Sequence, residues 1–281
     1  MSTVEKEKMV VVVTGAAGKT GGLVAKKLAE RSQFTPRAVV RSEQSKGKVT
    51  ALGVKPEDVF FVDVAAGKSG DYAKAFEGAD ALVIATSGVP QIVYLSLIKV
   101  FWAKLTGQQG VRPEFTWKQG QMPEQVDWLG QKAQVDAAKA AGIKRVVVVG
   151  SMGGTQPENF LNTLGNGNIL KWKRRAEQYL IESGVPYTII HPGGLLDEEG
   201  GQRQLKVDVD DKMLQRKVRS IPRGDVAELC VQCLNLPEAE NRAFDVIALQ
   251  KEESEGPTND WKALIDSLAG ANCDYNIERQ V

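Results

Sequence analysis

Cysteine, histidine and long apolar runs are all scarce in this 281-residue chain. Its three cysteines, Cys230, Cys233 and Cys273, are an odd number with no disulfide framework, which suits a reducing compartment. No apolar stretch approaches the roughly 18 residues that a bilayer-spanning helix needs, so no membrane span is expected. Charge of one sign is missing too: 36 basic and 35 acidic residues leave a formal net charge of +1, with no global field to recruit nucleic acid or an acidic partner. The opening MSTVEKEK has neither the apolar core of a signal peptide nor the arginine-rich character of a transit peptide. The expected location is the cytoplasm, or the chloroplast if a transit segment was removed ahead of Met1. There is no internal repeat and no linker.

What is present is an ordinary globular composition, 42% hydrophobic and 25% charged, enough for a sizeable core. Short valine- and isoleucine-rich runs read as strands buried on both faces: Met9–Val13, Pro36–Val40, Asp58–Val62, Ala81–Ala85, Arg145–Val149 and Tyr187–Ile190. Helical patterns lie between them at Thr20–Arg31, Tyr72–Phe76, Pro123–Ala141 and Ile169–Ser183. This alternation predicts an α/β fold with a doubly wound parallel sheet, Rossmann-like, as one domain over 1–281. Beyond residue 195 the rhythm loosens into a helix at Arg223–Asn235, a strand at Arg242–Ile247 and a helix at Asn259–Leu268. Residues 196–281 are therefore expected to form a small C-terminal substrate lobe within that domain. One connection is too long: about 35 residues separate Ala85 from Pro123, where two to six are usual. Residues 90–122 hold several aromatics and the amphipathic-looking YLSLIKVFWAKL, and leave the carboxyl end of a strand, where α/β proteins bind ligands. They are a candidate substrate lid, with an oligomer contact or surface excursion as the alternative.

The first strand runs into TGAAGKTG and then a helix. Glycines permit the sharp turn, and the backbone N–H groups of Gly15, Ala17, Gly18, Lys19, Thr20 and Gly21 are placed for a pyrophosphate at the positive end of the helix. The spacing is G-x-x-G-x-x-G, neither the commonest dinucleotide fingerprint nor a Walker loop, yet its strand–turn–helix setting marks a dinucleotide site. The second strand ends in Arg41-Ser42 rather than in the acid that would hold the ribose of NAD. An arginine there pairs with the 2′-phosphate of NADP, so NADP(H) is the expected cofactor. Asp63 and Val64 after the third strand face the adenine in this reading. Ala85, Thr86 and Ser87 after the fourth, with Pro192 and Gly193 after the sixth, complete the rim.

TGAAGKTG, Arg41, Asp63 and the PG pair together resemble the atypical short-chain dehydrogenase/reductases, the NmrA-like NAD(P)-binding proteins in particular. PEQVDWLGQKAQVDAAKAAG, VVVVGSMGG, LGNGNILKWKRRAEQYL and PYTIIHPGGLLDEEGG resemble a plant-type subgroup that includes sanguinarine reductase. The resemblance covers nearly the whole chain. It implies that Ser151 is the active-site serine, and that Lys173 is the active-site lysine, which binds the nicotinamide ribose. The family's Y-x-x-x-K motif would put tyrosine at 169, where this chain has Ile169. Isoleucine transfers no proton, so ketone reduction loses its acid; an iminium, flavin or quinone acceptor does not need one held tightly. The subgroup reductase also carries cysteine where Thr155 stands, so its alkaloid substrate is not carried over.

His191, the sole histidine, ends the sixth strand with a pKa range suited to proton donation, so it is a candidate acid; a structural histidine beside the sheet is the alternative. Cys230 and Cys233 have metal spacing but share one helical face without a second ligand pair, so no metal is expected. Two functions remain open. One is an NADPH-dependent oxidoreductase for a planar small-molecule acceptor, as monomer or homodimer. The other is a non-catalytic NADP(H)-binding sensor or scaffold.

Overall fold

Val11 and Val13 on one side and Val12 on the other bury three consecutive side chains in two separate cores. Strand side chains alternate faces, so a run of valines can be dry throughout only if helices cover both faces. In the computed structural model, which describes residues 8–277, that is the arrangement.

The elements in chain order are β1 (Met9–Thr14), α1 (Lys19–Ala29), β2 (Phe34–Val40), α2 (Glu43–Thr50), β3 (Val59–Phe61), α3 (Ala73–Phe76) and β4 (Ala81–Ile84). The insertion supplies β5 (Pro90–Ile92), α4 (Tyr94–Leu105) and β6 (Phe115–Trp117). Then follow a π-helical stretch (Glu124–Gly130), α5 (Gln131–Ala140), β7 (Arg145–Val149), α6 (Phe160–Thr163), α7 (Ile169–Ser183) and β8 (Tyr187–Pro192). The C-terminal part adds β9 (Gly194–Leu196), β10 (Leu205–Asp208), β11 (Ser220–Pro222), α8 (Arg223–Cys233), β12 (Arg242–Ala248) and α9 (Trp261–Asp266).

The main sheet has the order β10-β12-β8-β7-β4-β1-β2-β3, parallel except for the edge strand β10. Strand order reverses between β1 and β4, which opens a crevice at their carboxyl ends. Helices α1, α8 and α9 cover one face, and α3, α5 and α7 the other. The expected doubly wound parallel sheet is thus the observed one.

One element differs from the sequence expectation. The single helix predicted over Pro123–Ala141 is split, because its first half is wound as a π-helix. Gly130 sits where the backbone of Val64 presses against it, leaving no room for a Cβ. In the C-terminal part, β12 and β10 complete the main sheet, and β9 with β11 forms a separate two-stranded ribbon. The insertion is ordered as an antiparallel β5–β6 pair, Pro90 facing Trp117, with α4 between them.

Candidate active site

The glycine loop is closed by its own backbone. Gly15 has φ +70°, and a Cβ there would lie 2.5 Å from the Ala85 carbonyl oxygen; Gly21 backs onto the carbonyl of Gly15 with no space for a side chain. Two of the glycines are therefore required by chain-to-chain contact, and Gly18 caps α1 with no side chain bonded to its first N–H groups. Ala17, Gly18, Lys19 and Thr20 are partly or fully exposed. An open helix N-terminus beside a switch-point crevice fits a dinucleotide pyrophosphate. Lys19 is turned aside, its ammonium ion-paired with Asp197, which Arg223 also binds. The Lys19 hydrogen bond, opposed by slight desolvation, holds the Asp197 carboxyl below its usual range.

A cleft of about 700 Å³ continues from this loop over the ends of β4, β7 and β8. Thr20, Ala85, Thr86, Ser87, Pro192 and Gly193 line it. Ser151 and Lys173 also line it, so the sequence-predicted pair is brought together. The Ser151 hydroxyl donates to the Met152 carbonyl at 3.0 Å. Lys173 is buried, 2.8 Å from Asp127 Oδ1, and Asp127 Oδ2 accepts the Gly88 amide at 2.8 Å. Asp127 is fully enclosed and ties the loop after β4 to the lysine of α7. Sequence reading missed it. Its signal was an aspartate followed by Trp-Leu-Gly inside a predicted helix, a poor helix interior that the π-helical winding explains.

Ile169 packs with Trp117, Leu164 and Leu170 in a small core of its own. Trp117 Nε1 donates to the carbonyls of Leu164 and Gly165, each at 3.2 Å, and a Cβ on Gly167 would sit 2.5 Å from the indole. The wall beside Lys173 is therefore apolar and tightly built where a tyrosine was expected. Of the insertion, only Pro90 and Trp117 reach the cleft lining, and α4 stays outside it.

His191 is corrected. It lies behind the cleft, buried, with Nε2 3.1 Å from Glu177 Oε2 and Nδ1 3.3 Å from Asp245 Oδ1. Burial alone would lower its pKa, but the Glu177 charge and contacts with Asp245 and Cys273 hold it well above the usual range. Burial likewise opposes ionisation of Glu177, yet the imidazolium keeps its carboxyl below the ordinary value. Both nitrogens face these buried partners, and His191 is not part of the cleft lining. The ligand atoms of His191, Asp245 and Cys273 lie within 4.8 Å of one another. The network extends further: Tyr275 donates to Glu177, the Asp211 amide to Asp245, and Gly153 and Thr155 to Asp211. Thr155 is thus engaged in the scaffold.

The remaining predicted residues occupy the expected strand ends with mixed local roles. Arg41 is exposed after β2, and Ser42 caps α2 by accepting the Ser45 amide. Asp63 is exposed and accepts the Ala65 amide in a turn, whereas Val64 is buried against Gly130. Cys230 and Cys233 are sealed in α8; burial raises the thiol of Cys230 far above its ordinary value and that of Cys233 to about 12. Among the described residues no helix is long and apolar enough to cross a membrane.

A profile of NAD(P)H-binding proteins matches residues 15–237. The chain belongs to this NAD(P)H-binding family, within the atypical short-chain dehydrogenase/reductases. It is 51% identical over 263 residues to an uncharacterised chloroplastic protein of Arabidopsis thaliana, covering 93% of this chain and 76% of that one. It is 45% identical to the sanguinarine reductase of Eschscholzia californica, covering 93% and 97%. A putative NAD-dependent epimerase/dehydratase from Bacillus halodurans superimposes with a TM-score of 0.67 at 23% identity, over 92% of this chain and all of that one, and shares the fold. This member of the NAD(P)H-dependent reductases is accordingly an enzyme by family, with the cleft above as its candidate active site.

Proposed function

We propose that this reductase uses NADPH to deliver hydride to a planar acceptor of the quinone, flavin or iminium type. The observation that supports it is the apolar wall of Ile169, Trp117, Leu164 and Leu170 beside Lys173, which offers a flat acceptor a stacking surface and no proton donor. The 45% identity to a relative named for reducing sanguinarine supports the same acceptor class. When bound, the cofactor supplies the hydride. The chain's residues do the rest. The uncapped first turn of α1 binds the pyrophosphate, and Arg41 pairs with the 2′-phosphate. Asp127 fixes the Lys173 ammonium toward the nicotinamide ribose, and the Ser151 hydroxyl turns from Met152 to an acceptor oxygen. The open cleft lets solvent return the proton where one is needed.

Purified protein, NADPH and a panel of quinones, free flavin and iminium compounds test this: NADPH oxidation is expected with at least one class and is lost in Lys173→Ala. Ile169 also favours a second reading, a nucleotide-sensing protein without turnover. NADPH binding with no oxidation across the panel would support that reading and overturn the reductase.

A further inference from the structure

Helix α4 is packed with its apolar side outward. It turns Ser96 and Ala103 inward, 2% and 4% exposed, and these hold the returning segment 106–114: Ser96 Oγ accepts the Glu114 amide, and Ala103 O the Gln108 amide, each at 2.9 Å. Tyr94, Leu95, Ile98, Phe101, Trp102 and Leu105 are left 81%, 75%, 56%, 60%, 60% and 62% exposed. Positions 94, 98, 101, 102 and 105 fall on one helical face, with Leu95 at its margin. This stripe is contiguous, and soluble monomers rarely leave one open. Going round the helix, Lys99, paired with Glu114 at 2.7 Å, lies on one flank of the stripe and Lys104 on the other.

We propose that α4 seats this protein on an anionic lipid surface, lying in the plane of the interface. An aromatic and aliphatic face bordered by lysines matches the boundary between acyl chains and acidic headgroups: the rings enter the boundary while the ammonium groups stay among the phosphates. Charge agrees, because residues 90–122 carry Lys99, Lys104, Arg112 and Lys118 against the single acid Glu114, although the whole chain is nearly neutral. A second copy fits this face less well, since pairing two such stripes brings the flanking lysines of both helices together. At about 1.5 Å per residue the 12-residue helix is too short to span a bilayer and can only lie on it. None of its residues lines the cleft, so docking is independent of which acceptor is reduced.

The test is co-sedimentation of the full chain with vesicles of phosphatidylcholine alone or mixed with phosphatidylglycerol. Binding is expected only to the mixed vesicles, and it should weaken with added salt. A Phe101→Ser/Trp102→Ser double variant should lose about tenfold or more in vesicle affinity while keeping its circular dichroism and NADPH affinity. Lys104→Glu should lower affinity for the mixed vesicles alone. The proposal is overturned if the wild-type chain stays in the supernatant with mixed vesicles, or if the double variant sediments as well as wild type. It is also overturned if gel filtration shows a dimer that the double variant abolishes, because α4 would then be an interface between copies.

Discussion

Lys173 Nζ and Asp127 Oδ1 stand 2.8 Å apart, and the carboxylate is fully enclosed, its other oxygen taken by the Gly88 amide. The lysine opens on the cleft while its counter-ion is sealed behind it. The pair therefore sets where the ammonium points.

Asp127→Asn keeps an acceptor for Gly88 and removes the charge. Breaking a buried pair costs roughly 3–5 kcal/mol, and exposure of Lys173 to the cleft places this one toward the lower end. Reductase kcat should fall along with stability. Asp127→Asn combined with Lys173→Met should regain much of the stability with no activity. Denaturant unfolding and steady-state rates separate the two effects, and a double variant as active as wild type would remove the pair from the mechanism.

Arg41 is exposed at the end of β2, free to meet a cofactor phosphate. Arg41→Ala should weaken NADPH binding by about 1.5–3 kcal/mol, the size of charged hydrogen bonds, with little effect on NADH. Fluorescence titration of both cofactors gives the answer; equal losses would refute the 2′-phosphate role.

Ile169 acts through shape alone in this reading. Ile169→Val should cost about 0.5–1.5 kcal/mol of stability through lost contact with Trp117 and Leu164. The quinone rate should stay within about twofold, since no proton passes through the residue. A much larger loss of kcat at unchanged KM would show that the wall does more than shape the cleft.

The His191–Glu177 pair fixes the pH response. The raised histidine adds stability that is full below its ordinary value of about 6.5 and is lost as pH rises through the folded-state value. The depressed glutamate adds stability that is present above its ordinary value of about 4.3 and is lost as pH falls. Asp245, raised by burial against the pull of His191, works in the opposite sense to Glu177. In His191→Gln the cation is gone, burial prevails, and the Glu177 pKa rises. The variant should be much less stable at neutral pH, should no longer lose stability as pH rises through the folded-state value of the histidine, and should gain stability rather than lose it as pH falls through the carboxylate range. Melting temperature against pH measures this, and parallel curves would sink the assignment.

Much of this molecule was legible one segment at a time. Valine runs dry on both faces required helices on both sides, and TGAAGKTG between a strand and a helix marked the turn that opens α1. Lys173 was singled out from its charged neighbours only by its match to the active-site lysine of the family that the chain resembles. Asp127 was not legible, because its partner Lys173 lies on α7 and the Gly88 amide that it accepts lies beyond β4, both remote in sequence. Whether His191 was an acid or a structural histidine stayed open for the same reason: Glu177, Asp245 and Tyr275 are remote in sequence. YLSLIKVFWAKL read correctly as amphipathic, yet its pattern could not say which face the fold would take. Periodicity and local backbone chemistry are properties of neighbouring residues, and these the sequence determined. The protonation of His191, the aim of Lys173 and the outward face of α4 depend on charges and contacts between distant segments, which only the tertiary structure decided.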